Sequence, residues 1–157
     1  MFSKIIDKSV WYGPEEEQKS DWIYKLDKED VNEIEKLTEK FLSSNKSLKN
    51  LSKDDFYFEN LEKKYLRKID DELKNGRGFA LIRRMPINEW KREKIITAYM
   101  GLCSFFGNFR VQNKKGHLLG HIKDLGKDTK KDFTARVYET TYRQTFHSDR
   151  SDIVSLF

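Results

Sequence analysis

The feature that most constrains this chain is a stripe of apolar residues at helical spacing: Phe58, Leu61, Tyr65, Ile69 and Leu73, closed by Asn75-Gly76. Steps of three and four place these side chains on one helix face, which needs a partner to cover it. Ser52, with Asp55 three residues on, marks the expected N-terminus, and Gly76 suits a left-handed C-cap. A second stripe precedes it. Val31, Ile34, Leu37 and Phe41 follow Asp27, which reads as an N-cap with Asp30 in the capping-box position. This helix is expected to run to about Leu42 and to dissolve over 43–50. Residues 1–26 read as an irregular lead-in whose Trp11, Trp22, Ile23, Tyr24 and Leu26 need a core to dock on.

Beyond residue 76 the texture changes. Gly78-Phe79-Ala80-Leu81-Ile82 is a short apolar run after a glycine turn, and its length suits a buried strand. A helix is expected over about 88–106, with Ile96, Tyr99, Cys103 and Phe106 on its apolar stripe and Gly107 as its stop. Cys103 on that stripe reads as a small buried hydrophobe. Glycines then recur at 107, 116, 120 and 126, and the runs 117–122, 136–142 and 152–157 have strand character. Helices lead and strands follow, which gives an α+β class in one domain with no internal repeat.

The charge is split along the chain. Residues 1–75 hold 15 basic and 18 acidic residues, and residues 76–157 hold 16 basic and 8 acidic ones. Eleven Phe, seven Tyr and three Trp argue against disorder despite a hydrophobic fraction of 37%. The single cysteine excludes an intramolecular disulfide, so a reducing, cytoplasmic setting is expected. The longest uncharged stretch, Ile95 to Phe109, is shorter than the roughly 20 residues of a spanning helix, and no membrane association is expected. The basic back half carries no helix-turn-helix, zinc-finger or RNP-like pattern, so nucleic acid is not an expected partner.

The sharpest chemical feature is His147 and Asp149. Two residues apart in an extended segment, their side chains project from one face. An imidazole and a carboxylate so placed supply two adjacent metal ligands, and a distant histidine would complete the 2-His-1-carboxylate triad of non-haem iron oxygenases. Taken bare, the pattern is weak and reads more readily as a surface histidine beside an acid. His117 and His121 read as structure or pocket lining. Gln112 and Asn113 are candidate substrate-pocket residues, being loop amides beside a scaffold. Lys114, Lys115, Lys123, Lys127, Lys130 and Lys131 form a solvated basic cluster that can steer an anion.

The flanks of the pair carry more. The run from Gln144 through His147-Ser148-Asp149 to Leu156 closely resembles the first metal-ligand motif of the taurine-dioxygenase-like (TauD/TfdA) family. Gly76 to Arg83 is similar to that family's early strand, with Arg84 where glycine is usual. Gln112 to Gly126 resembles a block of its clavaminate-synthase-like branch, with Val111 in place of a proline. The resemblance implies Fe(II) and 2-oxoglutarate as cofactor and co-substrate, with O2 and a small organic molecule as reactants. It implies that His147 and Asp149 are the first two iron ligands. It also implies a double-stranded β-helix, or jelly roll, with 1–75 as helical lead-in and 76–157 as the start of that core.

Two parts of the family pattern do not occur here. No histidine follows Asp149 and no arginine follows Arg150, so the distal iron ligand and the basic partner of 2-oxoglutarate are both missing. The expected fold is therefore an incomplete jelly roll, in a chain not competent by itself. The alternatives are a non-catalytic pseudoenzyme and a basic α+β module that contacts an acidic partner.

Overall fold

The computed structural model describes residues 3–157. Its order is α1 (Gly13–Glu16), β1 (Ile23–Lys25), α2 (Lys28–Ser43), α3 (Arg67–Asn75), β2 (Leu81–Arg83) and α4 (Arg92–Cys103), with short 3-10 turns between. The chain divides into one unit of residues up to Asn108 together with Phe157, and another of Phe109–Leu156.

In the first unit, α2 begins where its sequence places it. The Asp27 carboxylate accepts from the N–H groups of Glu29 and Asp30, and Asp30 returns the bond to the N–H of Asp27. Four orphan donors open any helix, and this box satisfies the first of them. The helix buries Ile34, Thr38 and Phe41. Thr38 is tolerated in the core because its hydroxyl donates to the Ile34 carbonyl at 2.7 Å.

The second helical stretch departs from the expected pattern twice. Ser52 and Asp55 do form a capping box, but it heads a 3-10 turn, Lys53–Asp55, and the chain then runs through Phe56 and Phe58 before helix resumes. A π-helical turn, Glu62–Leu66, then leads into α3. That wider turn shifts the stripe by one residue. Leu66 is fully buried where Tyr65 was expected, five positions after the buried Leu61. Tyr65 instead turns its hydroxyl to the Lys25 carbonyl, 3.1 Å away. The N–H groups at the entry, those of Glu59, Asn60 and Leu61, are all accepted by the Glu33 carboxylate of α2 at 2.6–3.0 Å.

The α3 terminus also corrects the expectation. Gly76 has φ of −104°, outside the left-handed region, and Gly78 at +84° makes the turn. Gly76 is needed for space: a Cβ there would lie 2.8 Å from the Glu72 carbonyl oxygen.

A strand does form in the expected region, but it is β2 at Leu81–Arg83, later than the run 78–82 and half-buried rather than buried, and its partner is β1, which lies in the stretch read as irregular. The two pair in parallel, Ile23 with Leu81, Tyr24 with Ile82 and Lys25 with Arg83. Arg77 ties the lead-in to this region through Asp21, Glu16 and Glu72. Trp11 and Trp22 pack edge-on to Phe79.

The last helix, α4, is shorter than expected and buries a different face. Thr97, Ala98, Met100, Gly101 and Leu102 point inward, while Ile96, Tyr99 and Cys103 are half-buried. Lys94 ties it to α2 through Glu35 and Glu39. Tyr99 stacks on Phe157 with centroids 5.2 Å apart.

Residues 109–156 are built differently. Among the described residues, none of the buried hydrophobic side chains lies there. The runs 117–122, 136–142 and 152–157, expected as strands, form no ladder. Local bonds win instead: Val137–Glu139 is a 3-10 turn whose Glu139 carboxylate accepts from the Arg136 N–H at 3.0 Å. Two backbone bonds, from the N–H groups of Lys123 and Leu125 to the carbonyls of Tyr138 and Glu139, join the second of these runs to the residues just after the first without extending into a ladder. Among the described residues, no helix is long and apolar enough to cross a membrane.

Candidate functional site

The candidate metal pair lies in the second unit, on the irregular segment 144–152. His147 is fixed from within its own loop. Its Nδ1 is 2.9 Å from the carbonyl oxygen of Thr145. A carbonyl only accepts, so Nδ1 carries the hydrogen, and in the neutral ring Nε2 is then the nitrogen with the lone pair. The Gln144 side-chain amide donates to that lone pair at 3.0 Å.

Asp149 comes to the same edge of the ring. Its Oδ1 is 3.7 Å from His147 Nε2, and both side chains are about half exposed, at 48% and 51%. With Ser148 between them, the two side chains meet although the segment is not a strand. An imidazole lone pair and a carboxylate oxygen facing one space are a chemically suitable pair for a divalent first-row metal. The carbonyl bond at Nδ1 is the usual outer partner of a metal-bound histidine, since it fixes both ring and tautomer. The donor set therefore fits two of the three protein ligands of a non-haem iron site.

A third ligand is not assembled. Among the described residues, no group of three or more His, Cys, Asp or Glu side chains is placed to hold a metal ion. His117 is engaged elsewhere, with its Nδ1 3.0 Å from the Asn113 amide nitrogen. Asn113 closes its own loop, as its Oδ1 accepts from the N–H groups of Lys115 and His117. Gln112 donates from its amide to the Arg110 carbonyl. The two pocket candidates thus shape the 112–117 loop, and no hydrogen bond among the described residues links them to His147 or Asp149. In the lysine cluster, Lys127 pairs with Glu139 at 2.9 Å and Lys131 with Asp128 at 3.8 Å. The Glu139 bond raises the Lys127 pKa.

Two residues that sequence reasoning left out of the site belong to it. Gln144 and Thr145 hold the ring that the motif supplies. Their position just before the histidine is the signal for them, because a loop residue two or three places away is within reach of an imidazole nitrogen.

No family model matches the chain. Two curated proteins do. The chain is 27% identical to the FR-33289 synthase of Streptomyces rubellomurinus over 154 residues, which cover 97% of this chain and 44% of that protein. It is 25% identical to the taurine hydroxylase-like protein SAT17 of Stachybotrys chartarum over 161 residues, which cover 98% of this chain and 41% of that one. The chain thus spans less than half the length of the curated relatives it matches. It is similar, over nearly its whole length, to a synthase and to a taurine hydroxylase-like protein, which agrees with its resemblance to the TauD/TfdA-like family.

Proposed function

We propose that this chain is part of an Fe(II)- and 2-oxoglutarate-dependent dioxygenase that hydroxylates or otherwise oxidises a small organic substrate. His147 and Asp149 hold the iron. The observation that carries this reading is the approach of His147 Nε2 to within 3.7 Å of Asp149 Oδ1, with Nδ1 held by the Thr145 carbonyl. When bound, the iron supplies O2 activation coupled to decarboxylation of 2-oxoglutarate, chemistry that no side chain provides.

The residues themselves have positioning roles. The Thr145 carbonyl accepts from Nδ1 and so orients the ring. The Gln144 amide nitrogen lies 3.0 Å from Nε2, the nitrogen that would hold the iron. Asp149 brings the negative charge that offsets part of the charge of a dication. Gln112 and Asn113 remain the substrate-side candidates, with Asn113 setting the loop and Gln112 exposed on it.

The fold that goes with this reading is a jelly roll of which 76–157 is the beginning. The exposure of Phe133, Phe146 and Leu156, at 94%, 100% and 76%, supports it, since such side chains need a sheet or a partner to cover them. So does the greater length of the relatives. The chain by itself is not a competent oxygenase, because it holds two of the three iron ligands and no arginine after Arg150 for the distal carboxylate of 2-oxoglutarate.

Succinate release from 2-oxoglutarate tests the proposal. In a protein that carries this segment within a complete domain, His147→Ala and Asp149→Ala each abolish it. The 157-residue chain releases none. Release that survives both substitutions overturns the assignment.

A further inference from the structure

We infer that Arg110 is a positioning residue for the candidate iron pair, its guanidinium anchoring the backbone that carries His147 and Asp149. This role rests on the oxygenase reading, which makes the two residues iron ligands.

The bonds that fix His147 begin and end inside its own loop. Nδ1 faces the Thr145 carbonyl and Nε2 faces the Gln144 amide. They set the ring relative to the loop, and not the loop relative to the rest of its unit. Every residue from 144 to 152 is exposed, so packing does not hold the loop either. Asp149 depends on its backbone still more, since the nearest charged partner of its carboxylate is His147 itself, at 3.7 Å.

Arg110 supplies a tie from outside the loop. Its Nη1 donates to the carbonyl oxygen of Arg150, the residue directly after Asp149. Both arginines belong to the unit Phe109–Leu156, forty positions apart in sequence. The donor end is itself fixed. The Arg110 carbonyl accepts from the Gln112 side-chain amide at 3.1 Å, and the Gln112 N–H donates to the His117 carbonyl at 2.7 Å. A line of bonds thus runs from the 112–117 turn through Arg110 to the residue that follows the second ligand. Because its donor is charged, the Arg110 bond is stronger than one between neutral groups. The outer partners of metal ligands act in this way, by fixing geometry before the metal arrives.

The sign of the charge separates this role from simple electrostatics. A guanidinium beside a dication site opposes metal binding, so its removal by charge alone would tighten Fe(II). A positioning role predicts the opposite, a loss.

The test is an anaerobic Fe(II) titration of the 157-residue chain and of Arg110→Ala, Arg110→Lys, Arg143→Ala and His147→Ala. NMR order parameters of the 147–151 amides are measured before iron is added. Arg110→Ala is expected to weaken Fe(II) binding about tenfold and to lower the order parameters. Arg110→Lys still donates to a carbonyl and should restore part of both. Arg143→Ala removes an exposed cation four residues before His147 and should weaken neither. Unfolding midpoints should not change, because the buried hydrophobic side chains lie in the other unit. Unchanged or tighter Fe(II) binding by Arg110→Ala overturns the proposal, as does an equal loss in Arg110→Lys or Arg143→Ala. Binding that depends on His147 but not on Arg110 sinks this role alone, whereas binding indifferent to His147→Ala sinks the oxygenase reading and this role with it.

Discussion

The ring of Phe56 lies directly on the backbone of Gly101. A Cβ at Gly101 would sit 2.3 Å from the Phe56 ring carbon Cε1, so this contact exists only because residue 101 has no side chain. Phe56 is 1% exposed and also packs against Phe41 and Phe58, so the ring cannot move aside without disturbing the core. Gly101→Ala is therefore expected to destabilise the fold by about 1–3 kcal/mol through overpacking, even though alanine is the better helix former. Denaturant unfolding followed by circular dichroism measures it. A stabilised variant would show that the ring has room to shift.

Glu33 supplies the next prediction. Its carboxylate accepts from three consecutive N–H groups, those of Glu59, Asn60 and Leu61. Glu33→Ala leaves those donors to water and is expected to cost about 1 kcal/mol, the size of a lost cap. Glu33→Gln should keep part of this, because its amide oxygen still accepts. Equal loss in the two variants would assign the effect to packing.

Acid stability follows from Asp21 and Asp27. A hydrogen bond from Arg77 lowers the Asp21 pKa from 3.8 to about 2, and one from Lys64 does the same for Asp27. Both folded-state values lie below the unfolded ones. Their contribution to stability is thus complete above pH 4 and is lost as the pH falls from about 4 to 2. Asp21→Asn combined with Asp27→Asn is expected to flatten that limb of the stability curve. An unchanged slope between pH 4 and 2 would mean the bonds persist in the unfolded chain or are absent from the folded one.

Arg84→Gly should raise the stability of the chain by about 1 kcal/mol, because the left-handed backbone at residue 84 penalises any residue with a Cβ. The unfolding midpoint is the measurement. A lower midpoint would mean that the arginine side chain makes a stabilising contact in the folded state.

What could be read from the sequence was mostly local. The Asp27–Asp30 box needs only neighbours three residues apart, and it starts α2 where expected. The Ser52–Asp55 box is equally local and equally present, yet it heads a 3-10 turn, because a cap fixes a start and not a length. What was missed depends on distant partners. Ile23, Tyr24 and Lys25 become a strand only because Leu81, Ile82 and Arg83 arrive beside them. The π-helical turn moves burial from Tyr65 to Leu66, a one-residue shift to which a three-and-four stripe is blind. On α4 the apolar residues nearly encircle the helix, so the pattern does not choose a face, and the fit of Gly101 to Phe56 does. At the site, the His147–Asp149 spacing was legible in the motif, whereas the bonds from Gln144 and Thr145 follow from how the loop folds.

The most direct test of the central claim is an anaerobic Fe(II) titration of the 157-residue chain, compared with His147→Ala and Asp149→Ala. The account predicts a single, weak, saturable site, lost or weakened about tenfold or more in each variant, with unchanged circular dichroism. Fe(II) binding that is unaffected by either substitution would contradict it.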